Sequence, residues 1–226
     1  MDTTEFLAYL RSQPAYANQI AHVEHIPSLR ATYAPLEKPL SPDVLDCLGW
    51  HGLTRLYSHQ AQSINYLREG HNVIVATSSA SGKSLIYHST ALEALLVEKN
   101  NRVLYLFPTK ALAQDQLRSL RELFCPALLQ LSEAATFDGD TPQSERAEIK
   151  KHARLILSNP DMLHLGILPN HQYWSKFLRY LRYVVVDEAH AYRGVFGSHV
   201  ADVMRRLRRL CEHYGSKPQF ICCSAT

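Results

Sequence analysis

The stretch Asn72–Ser84, N-V-I-V-A-T-S-S-A-S-G-K-S, constrains this chain more than any other. It reads as a short apolar strand, a loop of small residues, then Gly-Lys-Ser opening a helix. That is the order of a phosphate-cradling P-loop. The backbone N–H groups of a loop entering a helix N-terminus can hold phosphate oxygens. In that reading Thr77, Ser78, Ser79, Ala80, Ser81, Gly82, Lys83 and Ser84 form the cradle. Lys83 reaches the β and γ phosphates of ATP, and Ser84 holds Mg²⁺. The pattern is a variant. Thr77 stands where the usual first glycine would be, and Ala80 where many such loops have another. Gly-Lys-Ser alone also fits an ordinary strand-to-helix turn. The apolar strand before it and the amphipathic run Leu85–Val97 after it favour the P-loop.

The rest of the chain alternates in the same way. Apolar strands are predicted at Val73–Ala76, Val103–Phe107, Ala134–Phe137, Leu155–Leu157, Tyr183–Val186 and Phe220–Cys223. Between them lie helical patterns at Leu85–Val97, Lys110–Phe124, after Thr141-Pro142, near Asp161–Leu165 and at Ser198–Tyr214. Alternation of this kind predicts an α/β fold, a mostly parallel sheet with helices on both faces. The polar clusters fall where the strands end, which is where an open α/β sheet binds its ligands. They are Thr77–Ser84, Pro108–Gln116, Asp138–Thr141, Ser158–His164, Asp187–His190 and Ser224–Thr226.

Residues 1–53 read as an N-terminal appendage and residues 54–226 as the domain. A short helix is predicted at Glu5–Arg11, prolines at 14, 27, 35, 39 and 42 interrupt the chain, and Ser41-Pro42-Asp43 opens a helix through Leu48. No apolar run approaches the ~20 residues a membrane span needs. The start M-D-T-T-E-F lacks the layout of a secretion signal. The five cysteines form no C-x-x-C pair. The expected setting is reducing, bacterial cytoplasm or eukaryotic nucleus, and not secreted. A net charge of +3 permits nucleic-acid binding without arguing for it.

Asp187-Glu188-Ala189-His190 directly follows an apolar strand. An isolated Asp-Glu also fits a solvated acidic turn. Downstream of a P-loop, Asp187 is the natural second Mg²⁺ anchor, and Glu188 is placed to deprotonate a water.

These residues carry a resemblance. Asp187–His190 resembles the DEAH form of motif II of superfamily 2 DEAD/DEAH-box helicases. Leu56-Tyr57-Ser58-His59-Gln60 resembles the Q motif, Pro108–Gln116 motif Ia, Ser158–His164 motif Ib and Ser224-Ala225-Thr226 motif III. The loop T-S-S-A-S-G-K-S, the string N-P-D-M-L-H and Tyr192–Val200 resemble the subgroup of bacterial mitomycin-repair and fungal RecQ-like DNA-repair helicases. The resemblance implies the first RecA-like domain of such a helicase. It further implies that Gln60, with Tyr57 nearby, contacts adenine. His190, Ser224 and Thr226 then couple hydrolysis to strand movement. Pro108, Thr109 and Lys110, with Asn159, Pro160 and Asp161, track the nucleic-acid backbone, and DNA, single-stranded or forked, is favoured over RNA. A second RecA-like domain would supply an arginine finger, so the resemblance implies that this chain is part of a longer protein. An RNA helicase, or a remodelling module that does not unwind, remain the alternatives.

Two features point away from further sites. Arg205, Arg206, Arg208 and Arg209 alternate with apolar residues at helical spacing, which predicts a packed helix with a solvated basic face. The twelve histidines show no paired zinc spacing, and Trp50 and Trp174 read as packing aromatics.

Overall fold

The computed structural model describes residues 2–27, 30–123 and 133–225. The chain divides into two units, residues 1–31 and residues 32–226. In the first, α1 (Thr3–Ser12) starts at a capping box. The Asp2 carboxylate accepts from the N–H groups of Thr4 and Glu5, and Glu5 accepts in return from the Asp2 N–H.

The second unit is built on six strands: β1 (Val73–Ala76), β2 (Arg102–Leu106), β3 (Ala134–Thr136), β4 (Leu155–Ser158), β5 (Leu181–Val186) and β6 (Gln219–Ser224). They form one sheet in the order β1-β6-β5-β2-β4-β3, and every pairing is parallel. Alternate strand residues face opposite sides, as a pleated strand requires. Val103, Tyr105, Leu155, Leu157, Tyr183 and Val185 enter one buried cluster, and Leu104, Leu106, Ile156, Val184 and Val186 enter the other. Burial on both faces explains why these strands read as unbroken apolar runs rather than alternating ones.

The first cluster is closed by α2 (Pro42–Trp50), α3 (Ser58–Arg68), α4 (Lys83–Val97) and α5 (Lys110–Leu123). Residues 32–53 contribute Leu40, Val44, Cys47 and Leu48 to it. Tyr33 pairs antiparallel with Tyr57 just ahead of α3. α6 (Gln143–His152) follows β3. The second cluster takes Leu163 and Ile167 from the stretch after α7 (Pro160–Met162), Phe177 and Leu178 from α8 (Ser175–Arg179), and Val203, Leu207 and Cys211 from α9 (Gly194–Tyr214).

Several elements differ from expectation for identifiable reasons. α3 carries Gln60 and Ser63 on its buried face, so its apolar stripe is broken and the pattern does not announce it. α9 begins at Gly194 rather than Ser198. Gly197 looks like a helix breaker, but a Cβ there would sit 2.5 Å from the Tyr192 carbonyl oxygen, so close packing demands glycine inside the helix. Past α7 the chain continues as a π-turn over Leu163–Ile167. Trp174 is buried as expected, whereas Trp50, at the end of α2, is 73 % exposed and is no core residue. On α9, Val200, Val203, Leu207 and Cys211 face inward while Arg205, Arg208 and Arg209 are exposed, Arg205 paired to Asp202 at 2.7 Å. Arg206 departs from the expected solvated face, half-buried with Nη1 2.6 Å from His164 Nδ1. Phe124 and Cys125 lie outside the described residues. Among the described residues no helix is long and apolar enough to cross a membrane.

Candidate functional site

Sheet order decides which strand-end clusters meet. β6 lies between β1 and β5, so the loop after β1, the acidic turn after β5 and the end of β6 converge at one edge. The ends of β2 and β4 lie further along.

The loop after β1 is held by its own side chains. Thr77 Oγ1 and Ser81 Oγ are 2.6 Å apart. Lys83 Nζ donates to the carbonyls of Thr77 at 2.9 Å and Ser78 at 2.8 Å, so the ammonium is folded back over the loop. Lys83 is only 9 % exposed, while Ser78, Ser79 and Ala80 are exposed. Two residues adopt left-handed backbone, Ala80 at φ 58° and Gly82 at φ 76°. Gly82 is required twice over, by its backbone and because a Cβ would lie 2.5 Å from Gln60 Nε2. α4 starts at Lys83, so its first N–H groups have no acceptor within the helix and face the loop.

Gln60 clamps that loop from α3. Its Nε2 donates to the Gly82 carbonyl at 2.9 Å, and its Oε1 accepts from the Tyr57 N–H at 2.8 Å. His59 Nε2 lies 3.1 Å from the Ser81 carbonyl. Tyr57 stacks between Tyr33, at 5.2 Å between ring centres, and His59, at 5.8 Å. Arg55 lies over the Tyr33 ring at 4.0 Å. Tyr33, Arg55, Tyr57, Gln60, Gly82 and Ser84 line a cleft of ≈ 630 Å³. Tyr33 was not a sequence candidate; its pairing with Tyr57 is a tertiary contact that no local pattern announces.

The turn after β5 is strained at Glu188 and buried at Asp187, with Glu188 and His190 half-buried. Glu188 is left-handed at φ 50°, a conformation uncommon outside glycine. Asp187 is 9 % exposed. Its Oδ1 accepts from the Glu188 N–H at 2.8 Å and its Oδ2 from the Tyr87 hydroxyl at 2.8 Å. Burial first, then the Asp187 charge, push the Tyr87 phenol well above its ordinary pKa, so it stays a donor. His190 Nδ1 lies 3.3 Å from Glu188 Oε2, 3.4 Å from the Ala225 N–H and 3.5 Å from Ser224 Oγ. That nitrogen can carry a proton toward Glu188 or accept one from Ala225, but not both. Thr226 lies outside the described residues.

The remaining candidates stand apart. Thr109 Oγ1 accepts from the Leu112 N–H at 3.3 Å at the start of α5, and Pro108 precedes it. Lys110 Nζ pairs with Asp140 at 2.8 Å. Asn159 Oδ1 accepts from the Met162 N–H at 2.8 Å, capping the short helix that Pro160 and Asp161 open. These are two helix N-termini at the ends of β2 and β4. Among the described residues no group of three or more His, Cys, Asp or Glu is arranged to hold a metal ion alone. The residues Ser84 and Asp187 suit a cation that brings most of its oxygen ligands with it, as Mg²⁺ does with phosphates and water.

Comparison with known proteins agrees with this geometry. The DEAD/DEAH box helicase family matches residues 57–226. The ATP-dependent helicase HRQ1 of Saccharomyces cerevisiae is 49 % identical over 226 residues, covering 98 % of this chain and 21 % of the relative. The ATP-dependent helicase YprA of Bacillus subtilis is 40 % identical over 223 residues, covering 99 % of this chain and 29 % of the relative. Among solved structures, the DUF1998 helicase MrfA bound to DNA and AMPPNP superposes with a TM-score of 0.88 at 39 % identity, covering 100 % of this chain and 31 % of that one. The chain thus spans a fifth to a third of the length of these relatives. Its six-stranded unit is a RecA-like helicase domain, and the chain belongs to the DEAD/DEAH box helicase family.

Proposed function

We propose that this chain is the nucleotide-binding motor domain of an ATP-dependent DNA helicase acting in DNA repair. The observation that carries this reading is the convergence of Lys83, Asp187, Glu188, His190 and Ser224 at neighbouring strand ends, beside a cleft floored by Gly82 and Ser84.

The chemistry follows from the contacts. Mg²⁺-bound ATP supplies a γ-phosphoryl group whose transfer to water is strongly downhill. Lys83 exchanges its two carbonyl partners for phosphate oxygens, a stronger interaction because those acceptors are charged. The α4 N-terminus adds backbone donors and a favourable dipole. Ser84 and Asp187 would hold the cation. Gln60 has one N–H and one lone pair beyond its present bonds for the edge of adenine, with Tyr57 and Tyr33 as the adjacent aromatic surface. Glu188 takes a proton from the attacking water on a carboxylate oxygen. His190, within reach of both Glu188 and the end of β6, relays the state of the site to Ser224 and the residues after it.

Pro108, Thr109 and Lys110, with Asn159, Pro160 and Asp161, form the strand-tracking face. Helix N-termini and a lysine bind phosphates without reading bases, so binding is sequence-independent and salt-sensitive. Lys110 must leave Asp140 to take part. DNA is favoured over RNA because the MrfA relative is solved with DNA. A second RecA-like domain in the longer protein closes the cleft and supplies the arginine that completes phosphoryl transfer. The test is ATPase activity of the full-length protein with single-stranded DNA, with RNA and with neither. Stimulation by DNA alone is expected. Stimulation by RNA alone, or turnover indifferent to both, contradicts the reading.

A further inference from the structure

Behind the turn after β5 lies a set of buried polar side chains that the proposed chemistry does not use. Tyr87, His88 and Tyr105 are all at most 2 % exposed. Tyr87 Oη is 2.8 Å from Asp187 Oδ2 and 3.1 Å from Gln116 Oε1. The same oxygen lies 3.2 Å from His88 Nε2. Tyr105 Oη is 3.1 Å from the Tyr87 carbonyl and 3.4 Å from His88 Nδ1.

Counting protons fixes the direction of each bond. A phenol has one proton and a carboxylate has none to give, so Tyr87 donates to Asp187. The Tyr87 oxygen then has only lone pairs left for Gln116. Tyr105 spends its proton on the Tyr87 carbonyl, so His88 Nδ1 carries the N–H that meets Tyr105, and His88 Nε2 is an acceptor. Full burial supports the neutral ring, holding its pKa down at about 4. Gln116 therefore faces two acceptors, the Tyr87 oxygen and His88 Nε2. Its NH₂ group has two protons and satisfies both, whereas its carbonyl oxygen would satisfy neither. A half-turn of the amide exchanges the two atoms without changing its shape.

We propose that Tyr87 and Gln116 are positioning residues for the Asp187 carboxylate: Tyr87 fixes its orientation, and Gln116, from α5, fixes Tyr87. The proposal rests on the reading of Asp187 as the Mg²⁺ carboxylate. Asp187 is then held on both oxygens, by Tyr87 and by the Glu188 N–H, before any cation arrives. Gln116 shares α5 with Lys110, so the metal carboxylate is tied to the helix that opens at the strand-tracking face.

The test is a Mg²⁺ titration of a fluorescent, non-hydrolysable ATP analogue bound to the full-length protein, read against binding in EDTA. Partners of this kind contribute ~10–100-fold to metal affinity. Tyr87→Phe keeps the ring and is expected to raise half-saturating Mg²⁺ ~10-fold, the lower end of that range, with EDTA binding unchanged. Gln116→Leu should move it the same way by less, and the double variant should be no worse than Tyr87→Phe, because both act through one bond. Gln116→Glu separates the two amide orientations. A carboxylate there competes with Asp187 for the single Tyr87 proton and should match Tyr87→Phe. Should Tyr87→Phe not fold, Gln116→Glu, at a half-exposed position, carries the test. Asp187→Asn is the control. If it loses Mg²⁺ dependence while the Tyr87 and Gln116 variants keep the wild-type curve, the proposal is overturned and the metal reading stands. If Asp187→Asn also keeps that curve, both fall.

Discussion

The charged candidates at the two halves of the sheet differ in burial. At the β1–β6–β5 half, Lys83 and Asp187 are each 9 % exposed and bonded to buried or backbone partners. At the β2–β4–β3 half, Thr109 and Asp161 are exposed, and the Lys110 side chain is 43 % exposed in a surface ion pair. The difference matches the two tasks proposed for them. Phosphoryl transfer needs charges and dipoles fixed in advance where little water competes. Tracking a strand needs accessible donors that can engage and release phosphates, since those contacts position a duplex or strand without specifying sequence. One half stores its organisation in buried hydrogen bonds, and the other in helix caps that solvent can reach.

The contrast predicts graded sensitivity to mutation. The largest loss is expected at Lys83. Replacing it with alanine removes charge-assisted bonds of ~1.5–3 kcal/mol, so ATP affinity should fall ~10²-fold. Calorimetry with Mg²⁺ present checks this, and unchanged affinity would place the phosphates elsewhere.

The buried half should also respond to acid. His88 is held at about pH 4 by burial, against an unfolded value near 6.5. Above pH 6.5 both states are neutral and His88 adds no pH dependence. As pH falls toward 4 the unfolded chain takes up the proton and the native site refuses it, so stability drops, by about 2 kcal/mol at pH 5. Urea unfolding at pH 7.5 and pH 5 measures the drop, and His88→Gln should remove that share of it. An equal drop in wild type and variant would mean that His88 is protonated in the native state.

The smallest effect belongs to the exposed half. Lys110→Ala should weaken single-stranded DNA binding a few-fold and lower the slope of log affinity against log salt by about one. Asp140→Ala, which frees Lys110, should strengthen binding. A Lys110→Ala loss as large as that at Lys83 would erase the distinction between the halves.

The same contrast governs what the sequence makes legible. The fold was readable because β2, β4 and β5 are buried on both faces and appear as apolar runs such as Tyr183–Val186. The strand-end clusters were readable because their residues are neighbours in sequence. Tyr87 was not, since its partner Asp187 is 100 residues away and an aromatic four positions past Lys83 looks like any core residue. Gln116 sits within the motif Ia stretch, but its bonds to Tyr87 and His88 cross from α5 to α4 and leave no local trace. Trp50 misled in the opposite direction, because an aromatic near a helix end carries no sign of which side faces water.

Glu188, the proposed base, stands on a left-handed turn beside Asp187 and within 3.3 Å of His190. Glu188→Gln in the full-length protein keeps the shape and removes the carboxylate proposed as the base. Measured together with single-stranded DNA present, ATP binding should stay at the wild-type level while multiple-turnover hydrolysis falls ~10²–10⁴-fold. Hydrolysis at the wild-type rate would contradict the assignment and move the base to another group, with His190 the nearest.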